Sequence, residues 1–432
     1  STLSSSSAAS DVYKRQRQPE WDPKNGNHMN YETLIPGIKN AGLFLMSSNA
    51  GYSNGGFSMI KRTLEKKIFE RFRKGKIILL LGPRQVGKTT LCQSILEKYD
   101  SPALWFNGDE PDVRDILSNT TSTRLKGFIG KNRLVIIDEA QRIKNIGITL
   151  KLLVDNFNEI QVIVTGSSSL ELTGEINEPL TGRKYEYFLY PISFREMAMH
   201  TTLLEEKRMI DHRLIYGYYP EIVSRAGEEK ELLSLLAGSY LYKDLFAWEQ
   251  IKKPAVLEKL LQALALQLGN EVSYHELGQL IGADNQTVER YIDLLEKAFV
   301  VFRLTALSRN LRNELKKSRK IYFYDNGIRN AIIKNFNTPA LRNDCGALWE
   351  NLMLSERMKA NQYSNRLTNM WFWRTTAQQE IDYIEEYDGK LHAYEFKWNP
   401  AKKGRFSKTF LNAYPDSTAT LITRENYEDF IF

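Results

Sequence analysis

The sequence predicts an α/β fold in several domains, and three observations lead there. The chain has 432 residues, more than one hydrophobic core organises. From Met59 onward, short apolar runs that read as buried strands alternate with longer amphipathic stretches that read as helices. Glycine-rich turns punctuate the junctions between them. Hydrophobic residues make up 42% and charged residues 26%, the balance of a globular protein that needs no membrane. No run of 18 or more apolar residues occurs, so no transmembrane helix is expected. The formal charge of +7 permits a polyanionic partner without requiring one. Cys92 and Cys345 provide neither a disulfide framework nor zinc-ligand spacing, which fits a reducing cytoplasm.

Residues 1–58 are rich in Ser, Asn and Gly, with no sustained hydrophobic period, a composition that predicts disorder or a linker. The stretch Ser4–Gln16 resembles translated adaptor sequence, and it lacks the apolar segment of a signal peptide. The natural chain is expected to start at Met59, with Met29 and Met46 as earlier alternatives.

The apolar run Ile77–Leu81 leads straight into Gly82-Pro83-Arg84-Gln85-Val86-Gly87-Lys88-Thr89, and a helix is expected from Thr90 to Tyr99. Strand, G-x-x-x-x-G-K-T and helix form the P-loop context. Gly82 and Gly87 let the backbone curl so that its N–H groups face phosphate oxygens. The helix directs its positive end at the same anion. Lys88 adds a charge at the β and γ phosphates, and Thr89 offers a hydroxyl to Mg²⁺. Gly82 through Thr90 are therefore the expected binding residues for ATP.

A second apolar run, Arg133–Ala140, contains the pair Asp138-Glu139. Asp138 suits holding Mg²⁺ through water, and Glu139 suits polarising the attacking water as a base. The competing reading makes both loop acids that cap the next helix. A third strand, Gln161–Thr165, runs into Gly166-Ser-Ser-Ser169. Thr165 and Ser167 are candidates for sensing the γ-phosphate, and a helix N-cap explains the serines equally well.

These strings continue with Leu180-Thr-Gly-Arg183 and Tyr190-Pro-Ile-Ser-Phe-Arg-Glu196. In this order they resemble a large prokaryotic group of AAA-type ATPases related to the STAND signalling ATPases, many of which carry a C-terminal domain of unassigned function. The resemblance covers nearly everything after Met59. It implies an AAA-type core and makes Arg183 the arginine-finger candidate, a residue that stabilises charge on the transferred phosphoryl. The alternative is a surface arginine paired with Glu186. Arg195 reads as structural. Gly217-Tyr-Tyr-Pro220 resembles the GG-x-P element that follows such cores, with Tyr218 in place of the second glycine; a simple turn is the other reading.

From 201 to 268 apolar residues recur at helical spacing, which suits the small helical lid of such a core. Val272–Ile281 and Gln286–Phe299 read as two helices around a turn at Gly282–Asn285, followed by the strand-like Val300–Thr305. This is winged-helix spacing over 269–325. The second helix carries Glu289, Asp293 and Glu296 against Arg290 and Lys297, a poor surface for DNA phosphates. Basic residues concentrate downstream at Arg303, Arg309, Arg312, Lys316, Lys317, Arg319 and Lys320.

In the last segment, 326–432, Gly346–Lys359 reads as a helix bearing Glu350, and Met370–Arg374 as a strand. Glu380–Glu385 places Asp382 on a strand, Asp388-Gly389 signals a hairpin turn, and Lys390–Trp398 returns with Glu395 and Lys397. Residues i and i+2 of a strand share a face, so Glu395 and Lys397 point the same way. Helix Glu, then Asp, then Glu-x-Lys resembles the PD-(D/E)xK nuclease signature. It implies Mg²⁺ on Asp382 and Glu395, with Lys397 orienting or deprotonating water. A solvated acid–base pair is the plainer explanation.

The sequence thus predicts an N-terminal extension (1–58), an AAA-type P-loop core (59–200), a helical lid (201–268), a winged-helix-like domain (269–325) and an α/β nuclease-like domain (326–432). The expected activity is ATP hydrolysis with Mg²⁺. The expected partner is nucleic acid, DNA ahead of RNA, with no membrane and with a homo-oligomer left open. The alternative is an ATP-gated switch or adaptor whose last domain binds without cutting.

Overall fold

The computed structural model describes residues 59–167, 179–241, 253–308, 318–375, 377–402, 404 and 406–432. Two sheets organise them. The first has strands β1 (Ile77–Leu81), β2 (Ala103–Asn107), β3 (Leu134–Asp138), β4 (Gln161–Gly166) and β5 (Lys184–Phe188), in the order β2-β3-β4-β1-β5. Every pairing in it is parallel. Strands β1, β3 and β4 are buried at every position, as a parallel sheet covered on both faces requires. Their continuous apolar runs are what made them legible. The Lys88–Glu97 helix follows β1 across the loop. Ligands of such sheets bind beyond the carboxyl ends of the strands, where Gly82, Asp138 and Thr165 all lie.

The 201–268 segment is helical where it is described, with helices at Leu203–Arg208, Ile210–Tyr216, Pro220–Ser224, Glu229–Leu235 and Pro254–Leu266. Helices Tyr274–Ile281 and Asn285–Lys297 then flank a turn, and each begins on a side-chain cap. Ser273 accepts from the Glu276 amide, and Asp284 accepts from that of Thr287.

The second sheet has strands β6 (Val301–Ala306), β7 (Arg319–Phe323), β8 (Asn369–Arg374), β9 (Glu380–Tyr387), β10 (Lys390–Lys397) and β11 (Thr418–Thr423). Its order is β11-β10-β9-β8-β6-β7. The hairpin β6–β7 joins it through parallel pairing of Thr305 with Trp371 and Ala306 with Phe372. The expected boundary at 325/326 therefore cuts a continuous sheet. The turn between β9 and β10 has positive φ at both Asp388 (52°) and Gly389 (73°), the twist that suits a two-residue hairpin.

The Cys345–Tyr363 helix ties the two sheets together. Its Asn351 side chain bonds both the N–H and the C=O of Phe323 on β7. Arg357 holds the buried Glu385 of β9 at 2.8 and 2.6 Å. On its other side, Glu356 accepts from the Phe194 amide at 2.7 Å, and Lys359 donates to the Ile192 carbonyl at 3.1 Å. The described residues include no helix long and apolar enough to cross a membrane.

Candidate functional sites

The loop after β1 has the backbone its glycines anticipate. Gly82 has φ 156° and Gly87 φ 89°. A Cβ on Gly82 would stand 2.2 Å from the Leu189 carbonyl oxygen, so no other residue fits there. Lys88 is buried and folds its ammonium onto the carbonyls of Gly82 and Pro83, at 2.9 and 2.8 Å. Thr89 donates its hydroxyl to Asp138 Oδ2 at 2.8 Å. Thr165 donates to the other Asp138 oxygen and accepts the Glu139 amide at 3.1 Å. The helix after β1 and the ends of β3 and β4 thus meet at one carboxylate. A hydroxyl and a carboxylate in contact are hard oxygen donors of the kind Mg²⁺ takes, so the residues fit the ion.

Glu139 sits in the left-handed region with φ 50°. Its carboxylate accepts from Gln141 Nε2, which also donates to Ser167 Oγ at 2.9 Å. Gln141 Oε1 is buried with no hydrogen-bond partner. The sequence reading passed over Gln141, although its place three residues after Asp138 was visible. Ser167 is thus drawn to Gln141. The helix-cap reading of the following serines falls on residues outside those described.

Arg62 was also missed. It is buried, donates to the Val86 and Tyr190 carbonyls at 2.7 and 2.6 Å, and pairs with Glu196 at 3.3 Å. Glu196 in turn closes a capping box with Ser193. The loop is therefore braced from behind by the Tyr190–Glu196 string, which also touches the Cys345–Tyr363 helix.

Arg183 lies elsewhere. Its carbonyl accepts from the Ile77 amide, which places it at the amino end of β1, whereas the loop begins at the carboxyl end. Five strand residues separate the two, about 16 Å. Arg183 pairs with Asp155 at 2.8 Å, while Glu186 pairs with Lys184. Its expected finger role is thus out of reach within one chain. Arg195 donates to the Phe432 carbonyl at 3.1 Å, a structural contact. Gly217 (φ 71°) starts a turn whose Tyr218 amide bonds Asp325 Oδ2 at 2.7 Å, so the Gly217-Tyr-Tyr-Pro220 element packs against the segment after β7.

The second cluster lies on the second sheet. Asp382 on β9 accepts from the Phe396 amide at 2.9 Å. Lys397 on β10 stands 2.8 Å from Glu395 and 3.7 Å from Asp382. Burial lowers the Lys397 pKa, but Asp382 and Glu395 outweigh it and hold the ammonium above its ordinary value. Burial, and then Asp382, push Glu395 up. Glu350 accepts from the Tyr322 hydroxyl and from Lys320 at 3.2 Å. Burial drives its carboxyl up to about 7 against the pull of Lys320. All four signature residues are electrostatic neighbours, joined by Lys320, Tyr322 and Glu380, which the motif does not contain. Among the described residues no three His, Cys, Asp or Glu side chains are grouped to hold a metal ion. Asp382 and Glu395, the two carboxylates expected to hold one, both face the Lys397 ammonium.

The three described residues of the basic stretch, Arg303, Arg319 and Lys320, have partners within the chain. Arg303 bonds Asp293, Glu296 and the Tyr274 hydroxyl. Arg319 lies 3.7 Å from Glu289 and over the Tyr274 ring. Lys320 is buried. Arg309, Arg312, Lys316 and Lys317 lie outside the described residues.

Comparison with known proteins agrees with this geometry over the first sheet. Residues 74–198 match the family described as AAA domain. Residues 207–339 and 345–430 match two families described as domains of unknown function. The chain is 28% identical to an uncharacterized protein of Mycobacterium tuberculosis over 78% of its own length and 74% of that protein. It is 24% identical to an uncharacterized protein of Methanocaldococcus jannaschii, over 83% and 82% of the two chains. Among solved structures, a Walker-type ATPase of Pyrococcus abyssi aligns with a TM-score of 0.45 at 15% identity, covering 64% of this chain and 96% of that one. The loop geometry and the family match together make residues 74–198 a P-loop ATPase fold of the AAA type.

Proposed function

We propose that this chain is a Mg²⁺-dependent ATPase whose nucleotide state acts on its C-terminal sheet. The observation that carries the reading is the contact of Thr89 with Asp138 beside the Lys88 loop. Gly82–Thr90 would hold the phosphates, and Thr89 and Asp138 would hold the ion, which supplies charge neutralisation at the β and γ oxygens. Glu139 would take the proton of the attacking water, with its carboxylate oriented by Gln141. Thr165, bonded to the Asp138 carboxylate and to the Glu139 backbone amide, relates this strand end to β4. Arg183 would contribute only to the site of a neighbouring copy.

The route to the C-terminal sheet is supported by contacts. The loop meets Arg62, Arg62 meets Tyr190 and Glu196, and that string meets Glu356 and Lys359 of the helix that also carries Glu350. Phosphate release should depend on Mg²⁺ and vanish in Asp138→Ala. Equal turnover by that variant would refute the assignment.

A second reading concerns nucleic acid. The convergence of Asp382, Glu395 and Lys397 favours a nuclease-like site. The two carboxylates would hold a divalent cation, which activates water for attack on a phosphodiester. Lys397, kept charged by its acids, would orient that water rather than deprotonate it. Cleavage of DNA or RNA by the chain, lost in Asp382→Ala, would support this reading. Binding without cleavage, unchanged in that variant, would favour the adaptor.

A further inference from the structure

Lys320 is the second residue of β7 and has 2% of its surface exposed. Its ammonium lies 3.2 Å from Glu350 Oε1 and 2.5 Å from Glu380 Oε1, and 5.5 Å from the centre of the Phe372 ring. An ammonium out of water is costly unless its partners are close and well placed. These partners come from the long helix and from β9, so three distant stretches of chain meet at one charge.

Lys397 makes the matching contacts with Asp382 and Glu395. The four carboxylates of the cluster therefore fall into two pairs, each bridged by one lysine. Tyr322, on the same face of β7 as Lys320, adds a hydrogen bond to Glu350, and Arg374 stands 3.8 Å from Glu380. The two lysines differ in exposure. The Lys397 side chain is 29% exposed at the end of β10, whereas that of Lys320 is enclosed at 2%.

We infer that Lys320 is a positioning residue, a built-in cation that closes the Glu350–Glu380 half of the cluster to divalent ions and leaves the Asp382–Glu395 half open to one. The second half of this statement rests on the nuclease-like reading; the first stands on the contacts of Lys320 alone.

The test is Mn²⁺ binding to the nucleotide-free full chain, followed by electron paramagnetic resonance of the free ion. Lys320→Met should bind one more Mn²⁺ than the wild type, and Lys320→Met,Glu350→Gln should lose it again. Lys320→Arg, which keeps the charge, should match the wild type. Asp382→Ala should remove one ion from the wild-type count. If the wild type has no ion that depends on Asp382 while Lys320→Met still gains one, the nuclease-like reading fails and the role of Lys320 stands. An unchanged count and affinity in Lys320→Met overturns the inference. If that variant is unfolded without metal, Mn²⁺ should restore its circular dichroism; failure to do so also overturns it.

Discussion

The Thr89 hydroxyl donates to the Asp138 carboxylate at 2.8 Å, joining the helix after β1 to the tip of β3 across the intervening strand β4. Glu139, one residue on, is turned by its positive φ away from the strand direction and toward Gln141. The two neighbouring acids thus have separate partners and are suited to separate tasks. Glu139→Gln should slow ATP hydrolysis by about 10²–10⁴-fold, the usual worth of a positioned base, while nucleotide affinity stays near that of the wild type. Fluorescent-nucleotide titration beside phosphate release measures both; a parallel loss of binding would count against the division of labour.

Arg183 faces the opposite end of β1 from the loop. Its pair with Asp155 is partly exposed, so its loss should change stability by no more than about 1 kcal/mol. In a dilute monomeric sample Arg183→Ala should hydrolyse ATP at the wild-type rate. A large loss that appears only as concentration rises would identify a finger acting between copies. A large loss in the monomer would contradict the placement.

Gly217 is pinned by its surroundings. A Cβ there would stand 2.1 Å from Asp325 Oδ1, and Asp325 is itself fixed by the amides of Tyr218 and Ile328. Gly217→Ala combines an unfavourable φ with this clash and should destabilise the fold by about 1–3 kcal/mol. Urea unfolding reads the change, and a midpoint equal to that of the wild type would show that the turn has slack.

Asp344 precedes the long helix and is gripped by Arg329 at 2.6 Å and Arg342 at 2.8 and 2.9 Å. Burial alone would raise its pKa; the two guanidinium groups outweigh burial and hold the carboxyl at about 2, below its ordinary 3.8. A depressed carboxylate adds stability above its unfolded pKa, and that stability is lost as pH falls through the folded value. The contribution of Asp344 should therefore fade between 3.8 and about 2. Asp344→Asn should lower the melting temperature at pH 7 and flatten its fall across that window. An unchanged slope would show that the pair is not formed in solution.

Much of the loop after β1 and its surroundings was legible because its information is local. The loop is a contiguous string, and the strands before it and before Asp138 are unbroken apolar runs. The helix bearing Glu350 and the β9–β10 hairpin were readable for the same reason. What escaped depends on contacts between distant segments. Lys320 read as one more residue of a basic stretch, since nothing near it in sequence reveals that Glu350 and Glu380 close over it. The alternation that puts Lys320 and Tyr322 on one face of β7 was the available clue. Arg183 misled in the opposite way, because its string lies next to the core motifs while the strand it starts carries it to the far end of the sheet. The pairing of β6 with β8 was invisible, since strands distant in sequence announce no partner.

The most direct measurement is steady-state phosphate release from Mg²⁺-ATP by the chain and by Lys88→Ala. The account predicts turnover that requires Mg²⁺ and is abolished in the variant, because the ammonium now folded onto Gly82 and Pro83 is the loop's only lysine. Turnover at the wild-type rate in Lys88→Ala would contradict it.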